Sequence, residues 1–113
     1  MAVTSVVQIN INFSGDIEYG QQFDAAANSS SPGLIDGQTL ALGANVITVP
    51  SNTTGVTLVP PSANTTVITL KGISGDTGIS IHRTNPTYIG LNGVSTFVLD
   101  AAAQITGFRL IWS

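Results

Sequence analysis

The sequence predicts an all-β protein: an antiparallel β-sandwich, for which a jelly-roll-like arrangement is one form, with about ten short strands and no substantial helix. Three observations carry this. Apolar and polar residues alternate with period two in runs such as "VTSVVQININF" and "IEYGQQF". Clusters of Gly, Pro, Asn and Ser interrupt the runs at the spacing of roughly 8–12 residues found in sandwiches and barrels. Serine and threonine supply 25 of the 113 residues and glycine 12, a composition of β-branched and turn-forming side chains.

The elements follow in order. In Val3–Phe13 the positions Val3, Val7, Ile9, Ile11 and Phe13 share one parity, while Thr4, Gln8, Asn10 and Asn12 share the other. A Ser14-Gly15-Asp16 turn then leads to a second alternating run with Ile17, Tyr19 and Phe23 on one parity, so the two form an antiparallel hairpin. Asp24–Gly33 breaks the rhythm; its alanines could make one helical turn, but Ser and Pro end it and the segment reads as loop. Beyond it, "GQTLAL", "NVITVP", "VTLVPP" and "TTVITLKG" are strands, with Gly43-Ala44-Asn45 as the first turn between them. Pro50, Pro60 and Pro61 fall at strand ends, where a missing N–H costs no ladder bond. "GISIH", "TYIGL" and "VSTFVL" continue the series, and Asn92-Gly93 is the sharpest hairpin signal, because a type I′ turn needs positive φ at both central residues. The last strand, "ITGFRLIW", aligns Phe108, Leu110 and Trp112 on one face, which ties the terminus into the core. Two strands, Val46–Val49 and Phe97–Leu99, are apolar on both parities, implying burial on both faces or cover by another subunit.

The length suits one domain, residues 1–113, able to bury roughly 60–70% of its unfolded surface. With no cysteine, disulfides, thiolate zinc sites and cysteine nucleophiles are excluded together. Three basic and six acidic residues leave a formal charge of −3, too dilute and too acidic for a phosphate-neutralising surface, so nucleic-acid binding is not expected. No basic leader and no apolar run of membrane-spanning length is visible, so the expectation is synthesis in the cytoplasm and no membrane partner. Four Asn-x-Ser/Thr sequons, at Asn12, Asn28, Asn52 and Asn64, carry little weight without a secretory leader. So few charges also suggest a surface covered by partners, although Thr, Ser and Asn can solvate one as well.

Chemistry-bearing residues concentrate in "KGISGDTGISIHR", Lys71–Arg83, which holds the single lysine, the single histidine and one of two arginines. Three glycines and Asp76 in "GISGDTG" are turn chemistry, and parity turns His82 away from the core beside the outward Ser80. A hydrolytic constellation would need His82, Asp76 and a serine to converge. One histidine makes a zinc site improbable, and Asp76 in a Gly loop lacks the acidic run of a calcium loop. Asp16 and Glu18 read as a solvated rim rather than a glycosidase pair. No cofactor is expected. Tyr19, Tyr88 and Trp112 could instead form a sugar-stacking platform, the basis of a lectin-like alternative.

From "TLALGANVITVP" through "VTLVPPSANTTVITLKGISGDTGISIHRTNPTYIGL" to "ITGFRLIWS", roughly Ala25 to Ser113, the chain resembles small all-β virion structural proteins of tailed bacteriophages. The resemblance lies in phrasing and composition, not in a catalytic motif, and implies no active-site residue. It implies a non-enzymatic subunit that decorates or completes a capsid or tail, made in the bacterial host cytoplasm and residing in the virion. The expected partners are other copies of the chain, as a homo-oligomer, and other virion proteins. The contact residues expected are Gln8, Asn10 and Asn12 on the first strand, with Asp76, His82 and Arg83 around the loop.

Overall fold

The computed structural model describes residues 3–13, 19–24 and 28–113, and the side chains of residues 4–10 and 31–113. The expected turn at Ser14–Asp16, the pair Asp16 and Glu18, and the Ala25–Ala27 run lie outside the described residues. Among the described residues the chain forms twelve strands and no helix.

Eight of these strands build the sandwich. They are β5 (Leu34–Leu40), β6 (Gly43–Thr48), β7 (Gly55–Val59), β8 (Ile68–Lys71), β9 (Ile79–Ser80), β10 (Thr87–Gly90), β11 (Thr96–Ala101) and β12 (Ile105–Trp112). One sheet has the order β10-β7-β12-β5 and the other β6-β11-β8-β9, with every pairing antiparallel. Except at the β8–β9 hairpin, each successive strand changes sheet. Two four-stranded sheets with this interleaved order are the jelly roll, two Greek keys wrapped around one core.

Alternation builds that core. Val56 and Leu58 of β7, Phe108, Leu110 and Trp112 of β12, and Leu40 of β5 meet Ile47, Ile68, Phe97, Leu99 and Ala101 from the facing sheet. Phe97 and Trp112 join the layers, with ring centroids 6.1 Å apart at an interplanar angle of 57°. Such tilted aromatic pairs add about 0.5–1.5 kcal/mol beyond their buried area. The end of the chain is tied in as expected: Ser113 N donates to Gly55 O at 2.9 Å, and Ser113 O accepts from Thr54 N at 2.8 Å. Pro50, Pro60 and Pro61 all lie just outside strands.

The N-terminal part forms two-stranded ribbons. β2 (Gln8–Phe13) pairs with β3 (Tyr19–Asp24), which is the expected hairpin. The first run is not continuous, however. Val3–Ser5 forms a separate strand, β1, paired with β4 (Asn28–Ser31), so part of the segment read as loop is a strand. Serines 29 to 31 carry no apolar alternation; the backbone ladder alone makes that pairing, and periodicity does not register it. Each ribbon makes its extensive contacts within itself.

Three further expectations shift. Gly43 and Asn45 belong to β6, and the reversal sits at Ala41-Leu42 instead. Asn92-Gly93 does not close a hairpin: β10 and β11 lie in different sheets, and of the two residues only Gly93 has positive φ, 70°. The dipeptide signals a reversal without specifying whether the strands it joins pair or part. Of the doubly apolar strands, β11 is buried on both faces, with Val98 3% exposed, whereas Val46 of β6 is 68% exposed on the outer face.

Candidate functional site

The Lys71–Arg83 segment folds as a set of self-satisfied turns. Asp76 N donates to Ile73 O at 3.1 Å, and the Asp76 carboxylate accepts from Ile73 N at 3.1 Å, closing the reversal after β8. His82 Nδ1 accepts from Thr84 N at 3.1 Å and Asn85 N at 2.9 Å, so this nitrogen carries the lone pair and caps the next turn. Arg83 is anchored through its carbonyl, which accepts from Asn64 Nδ2 at 2.9 Å. The same Asn64 side chain binds the backbone of Thr66 in both directions, 3.0 Å to its carbonyl and 3.1 Å from its N–H. Asp76 and His82 are therefore each committed to a different turn, and the partners of His82 include neither a serine nor a carboxylate. Among the described residues no group of three His, Cys, Asp or Glu could hold a metal ion.

Lys71 ends β8 but does not guard an edge, because β8 lies between β11 and β9. Its Nζ stands 3.0 Å from the Asp100 carboxylate on β11, across the outer face of the sheet. Lys71 is the register partner of Val98, and its stem accompanies that otherwise outward-facing valine.

The aromatics do not share a platform. Trp112 is 2% exposed in the core, whereas Tyr88 has the opposite parity in the same sheet and covers Gly55 on the outside. Burial of the indole, fixed by its inward parity on a central strand, removes it from sugar stacking. The side chain of Tyr19 lies outside the described residues. Of the expected contact residues, Gln8, Asn10, Asp76, His82 and Arg83 are exposed, while the side chain of Asn12 lies outside the described residues. Gln8 and Asn10 sit two apart on β2, opposite Asp24 and Gln22 of β3.

Two surface features escaped the sequence reading. At one edge the sheets part, leaving an open cleft of about 570 Å³ between β8–β9 and β10. Its walls are Leu70, Ile79, Ile89, Leu91, Val94 and Phe97, with Lys71 and Asp76 at the rim. A volume of this size and apolar lining is what ligand and knob pockets have. At the opposite edge, formed by β5 and β6, aliphatic side chains face water: Leu34, Ile35, Leu42 and Val46. From Gly37 to Leu70, 34 consecutive residues, the chain contains no Asp, Glu, Lys, Arg or His. That uncharged run was visible in the sequence and could have marked Leu42 and Val46, whereas Leu34 and Ile35 precede it on the other side of Asp36.

No family profile, curated protein or solved structure matches the chain.

Proposed function

We propose that this chain is a non-enzymatic structural subunit of a bacteriophage virion, one that self-associates and decorates or completes a capsid or tail. The observation that carries the reading is the row of exposed aliphatic side chains along the β5–β6 edge of the sandwich. Ile35 lies on the outer face of one sheet, Val46 on the outer face of the other, and Leu42 at the turn that joins their strands. Exposed apolar residues gathered along one edge mark an interaction surface, because water favours covering them. The side chains of Asp76 and His82, meanwhile, serve two separate turns, and that of Lys71 a cross-strand ion pair.

The phage assignment itself rests on the sequence resemblance, with the jelly-roll order as a compatible scaffold. That architecture recurs in viral capsid proteins but also in lectins and cupins, so fold alone assigns no role. Light scattering coupled to size exclusion tests the self-association: the expected result is a discrete oligomer of the 11.6 kDa chain. A monomer that persists at high concentration would refute it. Density for this domain on an isolated phage particle would test the virion assignment.

A further inference from the structure

The geometry points to a head-to-tail contact in which the Leu42 turn of one copy enters the apolar cleft of a second copy. This inference rests on the reading of the chain as a self-associating subunit, and names the partner of the turn at its aliphatic edge.

Leu42 is a prepared knob. It is 72% exposed at the tip of the β5–β6 turn, yet the turn beneath it is held on several sides. Asn45 Oδ1 accepts from Ala41 N at 3.0 Å. Its Nδ2 lies 2.9 Å from Ala41 O, 3.0 Å from Gly43 O and 3.1 Å from Leu99 O, sharing its two hydrogens among the three carbonyls. Gly43 completes the reversal with φ +97°, a conformation a side chain would strain. A rigid apolar tip loses little conformational entropy on docking, which is how preorganised surfaces gain affinity.

The cleft matches it in chemistry. Its walls are aliphatic or aromatic, and Ile79 and Val94 at its mouth remain exposed. The ionic groups at the rim already have partners: Lys71 holds Asp100, and Asp76 binds the Ile73 amide. The walls themselves therefore offer an occupant apolar contact only, with the unneutralised Asp76 carboxylate confined to the rim, and the Leu42 turn, within the uncharged Gly37–Leu70 segment, brings no charge of its own to desolvate. Every copy carries one knob and one cleft, so each contact covers both kinds of exposed apolar surface.

Topology makes the contact heterologous. The knob lies at the β5–β6 edge and the cleft at the β9–β10 edge, at opposite ends of the two strand orders. They also lie at opposite ends of the strands. Phe97 of β11 lines the cleft, while Ala101, four residues on, pairs with Gly43 beside the knob, roughly 13 Å away along the strand. A copy cannot fill its own cleft this way, and repetition yields a ring if the rotation closes or a filament if it does not.

The test uses the full chain in three forms: wild type, Leu42→Asp and Val94→Asp, each checked for an unchanged thermal melt. Both positions are exposed, so the substitutions leave the core intact, and Ile79→Asp is a second cleft variant should Val94→Asp perturb folding. In sedimentation and light scattering the wild type assembles, and either variant alone is a monomer, its association weakened about 100-fold or more by a carboxylate at the contact. An equimolar mixture of the two variants restores one contact and gives a dimer of twice 11.6 kDa, with nothing larger. Assembly of the wild type that both variants leave intact, or a mixture that stays monomeric, overturns the knob-and-cleft contact while leaving self-association standing. A wild type that never assembles overturns self-association itself. If Ile9→Asp dissolves the assembly and Leu42→Asp does not, the N-terminal ribbon is the occupant and the Leu42 contact is wrong.

Discussion

The ring of Tyr88 occupies the space that a side chain at Gly55 would need: a Cβ built on Gly55 would stand 2.6 Å from Tyr88 Cε2 and 2.8 Å from Cζ. Gly55 opens β7 and Tyr88 lies on the neighbouring β10, so the missing Cβ lets an aromatic side chain close over a buried strand end. Gly55→Ala should therefore cost about 1–2 kcal/mol, because the ring must swing out and lose its contacts. Tyr88→Ala removes the obstacle, and in that background most of the alanine's cost should vanish. A double-mutant cycle by urea denaturation measures the coupling. Additive effects would show that the ring does not constrain Gly55.

Trp112 is the single tryptophan and is 2% exposed, in contact range of Phe97. Native fluorescence should be blue-shifted relative to the unfolded chain. Trp112→Ala should destabilise by about 3–5 kcal/mol, a large share of a small domain's stability. Trp112→Phe should cost clearly less. Glycan binding lost through Trp112→Ala with no loss of stability would contradict the buried position.

Lys71 separates packing from charge. Lys71→Met retains the stem beside Val98 and deletes only a partly exposed ion pair, so the expected loss is below about 1 kcal/mol. Lys71→Ala removes the stem as well and should cost more. Equal losses in the two variants, both abolished by molar salt, would assign the contribution to the charge instead.

Asn45→Ala should destabilise by about 1–2 kcal/mol, since it withdraws the acceptor for Ala41 N and the donor for three carbonyls at a half-buried position. Hydrogen exchange should accelerate at Ala41 and Leu42 before it does in β11. Uniform exchange rates across the sandwich would indicate that the side chain does not hold the turn.

Several strands of the sandwich were legible in the sequence because they carry their own period, as Phe108, Leu110 and Trp112 do on β12. Their partners were less legible. Asn92-Gly93 looks like a hairpin turn, but whether β10 and β11 pair depends on which sheet each joins, a property of residues far away such as Val56 and Val46. The β4 strand was missed because serines pair through backbone alone. The turn at Ala41-Leu42 was misplaced by two residues because Gly43 and Asn45 are turn formers that here stand just inside the following strand and brace the reversal from there. The cleft could not be read at all: it exists because β9 is only two residues long and leaves the sheets open at that edge. Sequence marked the apolar residues around it without showing that they line a common space.

The pairing of Leu34 with Trp112 across β5 and β12 has a consequence for biosynthesis. A central strand of one sheet, β12, follows every other strand of the sandwich in chain order, and β7 must wait for it as β5 does. Early hairpins cannot mature into the sandwich piece by piece, so closure of that sheet waits for β12 and its rate is governed by long-range loop closure. Until β12 arrives, the nascent chain exposes the uncovered faces of β5 and β7, and that interval is where aggregation competes with folding.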